Sequence, residues 1–105
     1  MSSRRIWATS AILAGLCALG ILPQLAAADE LYDLGEYLSG DCTACHQLKG
    51  NSPGIPAITG WDVDSFVMVM RAYRMGERDH TLMQTVARRF SDEYLKALAV
   101  FFGKQ

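Results

Sequence analysis

Cys42-Thr43-Ala44-Cys45-His46 is the stretch on which the reading of this 105-residue chain turns. Two thiols three positions apart, with an imidazole directly after the second, form the pattern by which a c-type haem is attached. The chemistry requires that order: each thiol adds to one haem vinyl group to form a thioether, and the histidine then reaches the iron from one side. Two other chemistries use paired cysteines. A thioredoxin-like redox pair belongs in a βαβ setting, and no strand pattern flanks this motif. A zinc site needs a second ligand pair, and the remaining cysteine and histidine are the isolated Cys17 and His80.

Upstream of the motif the chain reads first as a targeting segment. Arg4 and Arg5 form a basic start, Ile6 to Leu22 is a mostly apolar run, Pro23 ends it, and Ala26-Ala27-Ala28 supplies small residues for cleavage before Asp29. Residues 1–28 are therefore expected to be a cleaved secretory signal peptide, and residues 29–105 a monohaem domain. The apolar run, about 17 residues, approaches the lower limit for a membrane span, so an uncleaved anchor is the alternative. The basic start and alanine-rich end favour removal, and Cys17 then leaves with the signal. A haem attached after translocation calls for an unfolded passenger, which points to the general secretory route and a periplasmic product without a membrane span.

Removal of 28 residues from 105 leaves 77. A core of that size is marginal by burial alone, and a haem would supply the missing apolar volume. The two cysteines left, Cys42 and Cys45, are then committed to the cofactor and not to a disulfide. The full chain has 10 basic and 11 acidic residues; without Arg4 and Arg5 the balance is 8 to 11, a net of −3. That balance argues against nucleic acid as a partner. Asp29, Glu30, Asp33, Glu36 and Asp41 precede the motif, whereas Arg71, Arg74, Arg78, Arg88 and Arg89 follow it, so the domain is expected to be electrically polar.

Helical periodicity brackets the motif. Leu31, Leu34 and Leu38 predict a first helix from Asp29 to about Ser39, with Asp29 and Glu30 at the positive end of its dipole. Gly35 lies on its apolar side, where a glycine costs about 1 kcal/mol relative to alanine unless something uses the space; another helix is expected to cross there. Gln47 to Gly60 is a loop rich in glycine and proline. A backbone carbonyl near Pro56 could accept the Nδ1 hydrogen of His46 and orient the ring; a plain surface turn fits the spacing equally well. A second helix, capped by Asp62 or Asp64, runs to about Met75 and stops at Gly76, with Phe66, Met70 and Tyr73 inward and Met68 and Met75 outward. After the turn Glu77 to His80 and Thr81-Leu82-Met83 comes a short helical piece to about Arg89. Ser91 caps a last helix whose stripe is Leu95, Leu98, Ala99 and Phe102, widened by Tyr94 and Phe101.

These features resemble a small class I cytochrome c over nearly the whole of residues 29–105: Cys-x-x-Cys-His, a Pro-x-Ile-x-Gly loop, a late methionine and an aromatic C-terminal helix. The resemblance implies an all-α fold of helices and loops wrapped around one covalently bound haem. It assigns Cys42 and Cys45 to the thioethers, His46 to the proximal iron position and Met83 to the distal one. Pro56 matches the proline whose carbonyl orients the proximal histidine, Ile58 an apolar residue against the haem, and Gly35 with Phe101 the crossing of first and last helices. Gly76-Glu77-Arg78, Thr81-Leu82-Met83, Val86-Ala87 and Arg89 to Glu93 are further similar to the haem subunit of flavocytochrome c sulfide dehydrogenase.

The sixth ligand decides function. Met70 points into its helix's core side and Met68 away from it, Met75 faces outward, and Met83 follows an irregular turn with freedom to approach iron. His80 and an open position are the alternatives. Histidine plus thioether favours ferrous iron, suits single-electron transfer and leaves no vacancy for oxygen or peroxide, so no catalysis is expected of this chain alone. The resemblance implies a partner flavoprotein that takes electrons from sulfide, its flavin bound elsewhere; the alternative is a free-standing soluble carrier to an oxidase or reductase.

Overall fold

Among the described residues the chain forms five α-helices: α1 Leu22–Leu38, α2 Gly40–Thr43, α3 Val63–Arg74, α4 Thr81–Ala87 and α5 Asp92–Gly103. The computed structural model describes residues 22–50 and 52–105, so residues 1–21 of the expected leader lie outside it. No strand occurs among the described residues; Ser52 and Ile55 form one isolated bridge. The fold is the all-α one expected.

The first helix begins earlier than Asp29. Alanine has the best helix propensity of all residues, which suits Ala26-Ala27-Ala28 to helix. α1 is thus continuous through Ala28 and Asp29. Among the described residues no helix is long and apolar enough to cross a membrane.

Packing begins where α1 crosses α5. A Cβ placed on Gly35 would lie 2.1 Å from the Ala97 carbonyl oxygen and 2.8 Å from the Phe101 Cβ. The helix backbones therefore meet at this glycine, which explains its place on an apolar helix face. Ala97, outside the expected stripe of α5, is fully buried because it faces Gly35. Leu95, Leu98 and Phe102 are the largest fully buried side chains, whereas Tyr94 sits at the stripe's margin, 41% exposed. On another side of α5, Phe66 of α3 stacks on Phe102 with ring centroids 5.9 Å apart.

Local signals set the helix ends. The Asp62 carboxylate accepts the Ser65 N–H (3.1 Å), and the Ser91 hydroxyl oxygen accepts the Tyr94 N–H (3.2 Å). At the end of α3, Gly76 takes φ 76° while the Gly76 and Glu77 N–H groups return to the Tyr73 and Ala72 carbonyls, a glycine-terminated stop. Arg74 then reaches across to the Phe90 carbonyl and the Asp92 carboxylate, with Arg71 3.4 Å from the same carboxylate. These ties hold α3 against the start of α5. Met68 and Met75 are each 66% exposed on the outer side of α3.

Candidate haem site

The motif begins in the short turn of α2, just after α1, and runs past its end to His46. The Cys42 N–H donates to the Ser39 carbonyl (2.9 Å), and the Cys45 and His46 N–H groups both return to the Cys42 carbonyl (3.1 and 2.8 Å). This continued helical winding puts residues i, i+3 and i+4 on one side, which is why Cys42, Cys45 and His46 face the same cavity. That cavity, about 470 Å³, also takes in Pro56, Ile58, Met70 and Met83. Its volume lies within the range of about 300–1,000 Å³ common to small-molecule and cofactor sites.

Every site residue named from the sequence therefore borders one space, although α2, the following loop and α4 deliver them from up to 41 positions apart. The His46 Nδ1 lies 2.7 Å from the Pro56 carbonyl oxygen. Since a carbonyl can only accept, Nδ1 carries the hydrogen and Nε2 is left with its lone pair free for a metal. Pro56 thus acts through its backbone, and the loop is more than a surface turn.

The thiols differ. Cys42 is 7% exposed, and burial, reinforced by the neighbouring Asp41 charge, pushes its thiol up to about 11; Cys45 is exposed. A buried thiol resists ionisation because the thiolate loses its hydration, so Cys42 contributes a neutral group to an apolar wall. The donor set fits a haem: two thiols, one oriented imidazole and a thioether sulfur around a mainly apolar cleft. Among the described residues no group of three or more His, Cys, Asp or Glu side chains is placed to hold a bare metal ion.

Met83 differs in setting from the irregular turn expected. It lies in the first turn of α4, half-buried, and its backbone N–H donates to the His80 Nδ1 at 3.2 Å. His80 is thus the N-cap of α4, and the helix starts at Thr81 instead of beyond Met83. Sequence reasoning missed Trp61, Val69 and Arg78 on the cavity wall. Val69 was within reach of the α3 periodicity through Phe66, Met70 and Tyr73. Trp61 and Arg78 were not, because each lies in an aperiodic segment where the pattern gives no facing. Arg78 is aimed by its Nε bond to the Tyr73 hydroxyl (2.9 Å), with its guanidinium 5.2 Å from that ring's centre.

Two known cytochromes are similar to this chain. Over 76 residues, 68% of this chain and 92% of the relative, it is 33% identical to cytochrome c-554(548) of Halomonas halodenitrificans. The chain belongs to the class I c-type cytochromes. It is also 33% identical, over 70 residues, to the cytochrome subunit of sulfide dehydrogenase of Chlorobaculum tepidum, covering 66% of this chain and 64% of that relative's length. No protein-family model matches. The cytochrome's role is electron transfer and its cofactor is haem c.

Proposed function

We propose that this cytochrome binds one haem covalently through Cys42 and Cys45, with His46 and Met83 as axial ligands, and works in the periplasm after removal of residues 1–28. Its task is to accept single electrons from a flavoprotein subunit of a sulfide dehydrogenase. The observation that carries the site assignment is the convergence of both thiols, the Pro56-oriented His46 and Met83 on one apolar cavity. The partner assignment is supported by the similarity to a cytochrome subunit of sulfide dehydrogenase.

When bound, the haem iron supplies the one-electron couple. The chain's own residues do the rest. The Pro56 carbonyl holds the His46 ring in one tautomer and raises its basicity. Ile58, Phe66 and Met70 line the cavity with apolar surface that keeps water out, and a dry, rigid wall lowers the rearrangement that accompanies a change of charge. Cys45 is exposed and also borders the cavity, so a haem held there would bring one edge near the surface, where an electron would have a short route to a partner.

Coverage of 92% of a relative named only as a cytochrome favours a second reading, a free-standing carrier to an oxidase or reductase. Copurification decides between the two: a flavoprotein that travels with the wild-type chain and reduces it on addition of sulfide supports the subunit, and a chain that stays alone and is not so reduced supports the carrier. The ligand assignment has its own test, since Met70 also borders the cavity. Met83→Leu should abolish the sulfur-to-iron charge-transfer absorption at the red end of the oxidised spectrum and lower the potential, and Met70→Leu should retain the band. The opposite pattern would assign the sulfur to Met70.

A further inference from the structure

The turn between α3 and α4 is tied more closely than a surface connection requires. The Glu77 and Arg78 N–H groups both donate to the Ala72 carbonyl (2.9 and 3.2 Å), fixing the turn to the last residues of α3. On the other side, the Gln84 side-chain amide donates to the Arg78 carbonyl (3.0 Å), and the Gln84 N–H donates to the His80 carbonyl (2.9 Å). The His80 ring meets Tyr73 edge-on, with centroids 6.4 Å apart, and Tyr73 is in turn held by Arg78. His80 is therefore restrained through its backbone and its ring, and from that position its Nδ1 accepts the Met83 N–H at 3.2 Å.

We propose that His80 is a positioning residue for Met83: its Nδ1 caps the Met83 N–H and so sets where the first turn of α4 holds the thioether against the haem cavity. This rests on the reading of Met83 as the sixth ligand. The assignment of roles follows from donor chemistry, because a backbone N–H can only donate; Nδ1 is the acceptor and the neutral ring carries its hydrogen on Nε2. Both His80 and Met83 border the cavity, so a shift in the first turn of α4 acts directly on the sulfur. On the sequence alone His80 is a rival ligand whose removal should leave a methionine-ligated haem unchanged. The cap changes that expectation.

The test uses the oxidised, haem-loaded protein and imidazole, an external ligand that must displace the thioether. Loss of an N-cap of ordinary strength corresponds to a factor of about five in an equilibrium constant. His80→Ala should therefore bind imidazole about fivefold more tightly than wild type, whereas His80→Asn, whose side chain caps well, should stay within about twofold of wild type. If His80→Ala loads haem poorly, His80→Gln takes its place, since glutamine is not a favoured cap. In a Met83→Leu background the same His80 change should have no effect on imidazole binding, because no thioether remains to be positioned. Wild-type affinity in His80→Ala or His80→Gln, failure of His80→Asn to restore it, or an equal effect without Met83 would each overturn the proposal. A wild-type spectrum lacking the sulfur-to-iron band, unaltered by Met83→Leu, would instead overturn the ligand reading beneath it.

Discussion

Gly35→Ala introduces a single methyl group at the point where α1 and α5 meet. That carbon would lie 2.1 Å from the Ala97 oxygen, 2.7 Å from the Ala97 carbonyl carbon and 2.8 Å from the Phe101 Cβ, against ordinary contact that begins at 3.4 Å. Two of the three obstacles are backbone, so no rotamer change relieves them. Relief requires the helices to part by about 1 Å, and overpacking of this kind costs about 1–3 kcal/mol, the upper end where backbone is struck. Alanine's better helix propensity offsets about 1 kcal/mol. With the net near 2 kcal/mol and a domain of this size shifting roughly 4–8 °C per kcal/mol, the unfolding midpoint should fall by roughly 8–16 °C. Thermal unfolding of the oxidised haem-loaded protein, followed by far-ultraviolet circular dichroism, measures it. Gly40→Ala is the matched control, since no atom lies within 4 Å of its added carbon, and it should unfold at or slightly above the wild-type temperature. A Gly35→Ala midpoint within 2 °C of wild type, on the order of the error in such scans, would refute the close crossing.

Two further predictions concern charge. The Arg74 hydrogen bond, opposed by desolvation and aided by the Arg71 and Arg74 charges, holds the Asp92 carboxyl below its ordinary value of 3.8. A depressed folded value means that this contribution to stability is present above pH 3.8 and is lost as pH falls through the folded value. Asp92→Asn should accordingly flatten the acid limb of a stability profile below about pH 4, and an unchanged limb would contradict the tie. The Arg89–Asp41 pair (3.0 Å) is exposed on both sides, so Asp41→Asn should change unfolding stability by less than about 1 kcal/mol in denaturant titration.

Much of the site was legible because its signals are local. The spacing of Cys42, Cys45 and His46 is itself the geometry of one helical turn, and Asp62 and Ser91 announce the helices they cap. Gly35 was legible as an anomaly, a glycine on an apolar helix face, and the α1–α5 crossing supplies the reason. The start of α4 was not. Thr81-Leu82-Met83 carries no periodicity of its own, and the helix begins there because a histidine ring closes its first turn. Trp61 and Arg78 escaped for a related reason: loop residues take their facing from what they are tied to, and Arg78 is tied to Tyr73, five positions earlier in the chain. The described part of α1 reaches back to Leu22, ahead of the Leu31, Leu34 and Leu38 periodicity, and alanine propensity accounts for helix at Ala26-Ala27-Ala28.

Covalent attachment of one haem by Cys42 and Cys45, beside His46 and Met83, is the proposal on which the function rests. Mass spectrometry of the purified exported protein in denaturing acid tests it directly, because acid breaks axial coordination but leaves thioethers intact. A single species is expected, beginning at Asp29 and heavier than that polypeptide by one haem, with loss of one attachment in Cys42→Ala or Cys45→Ala. A polypeptide mass with no added haem in the wild type would contradict it.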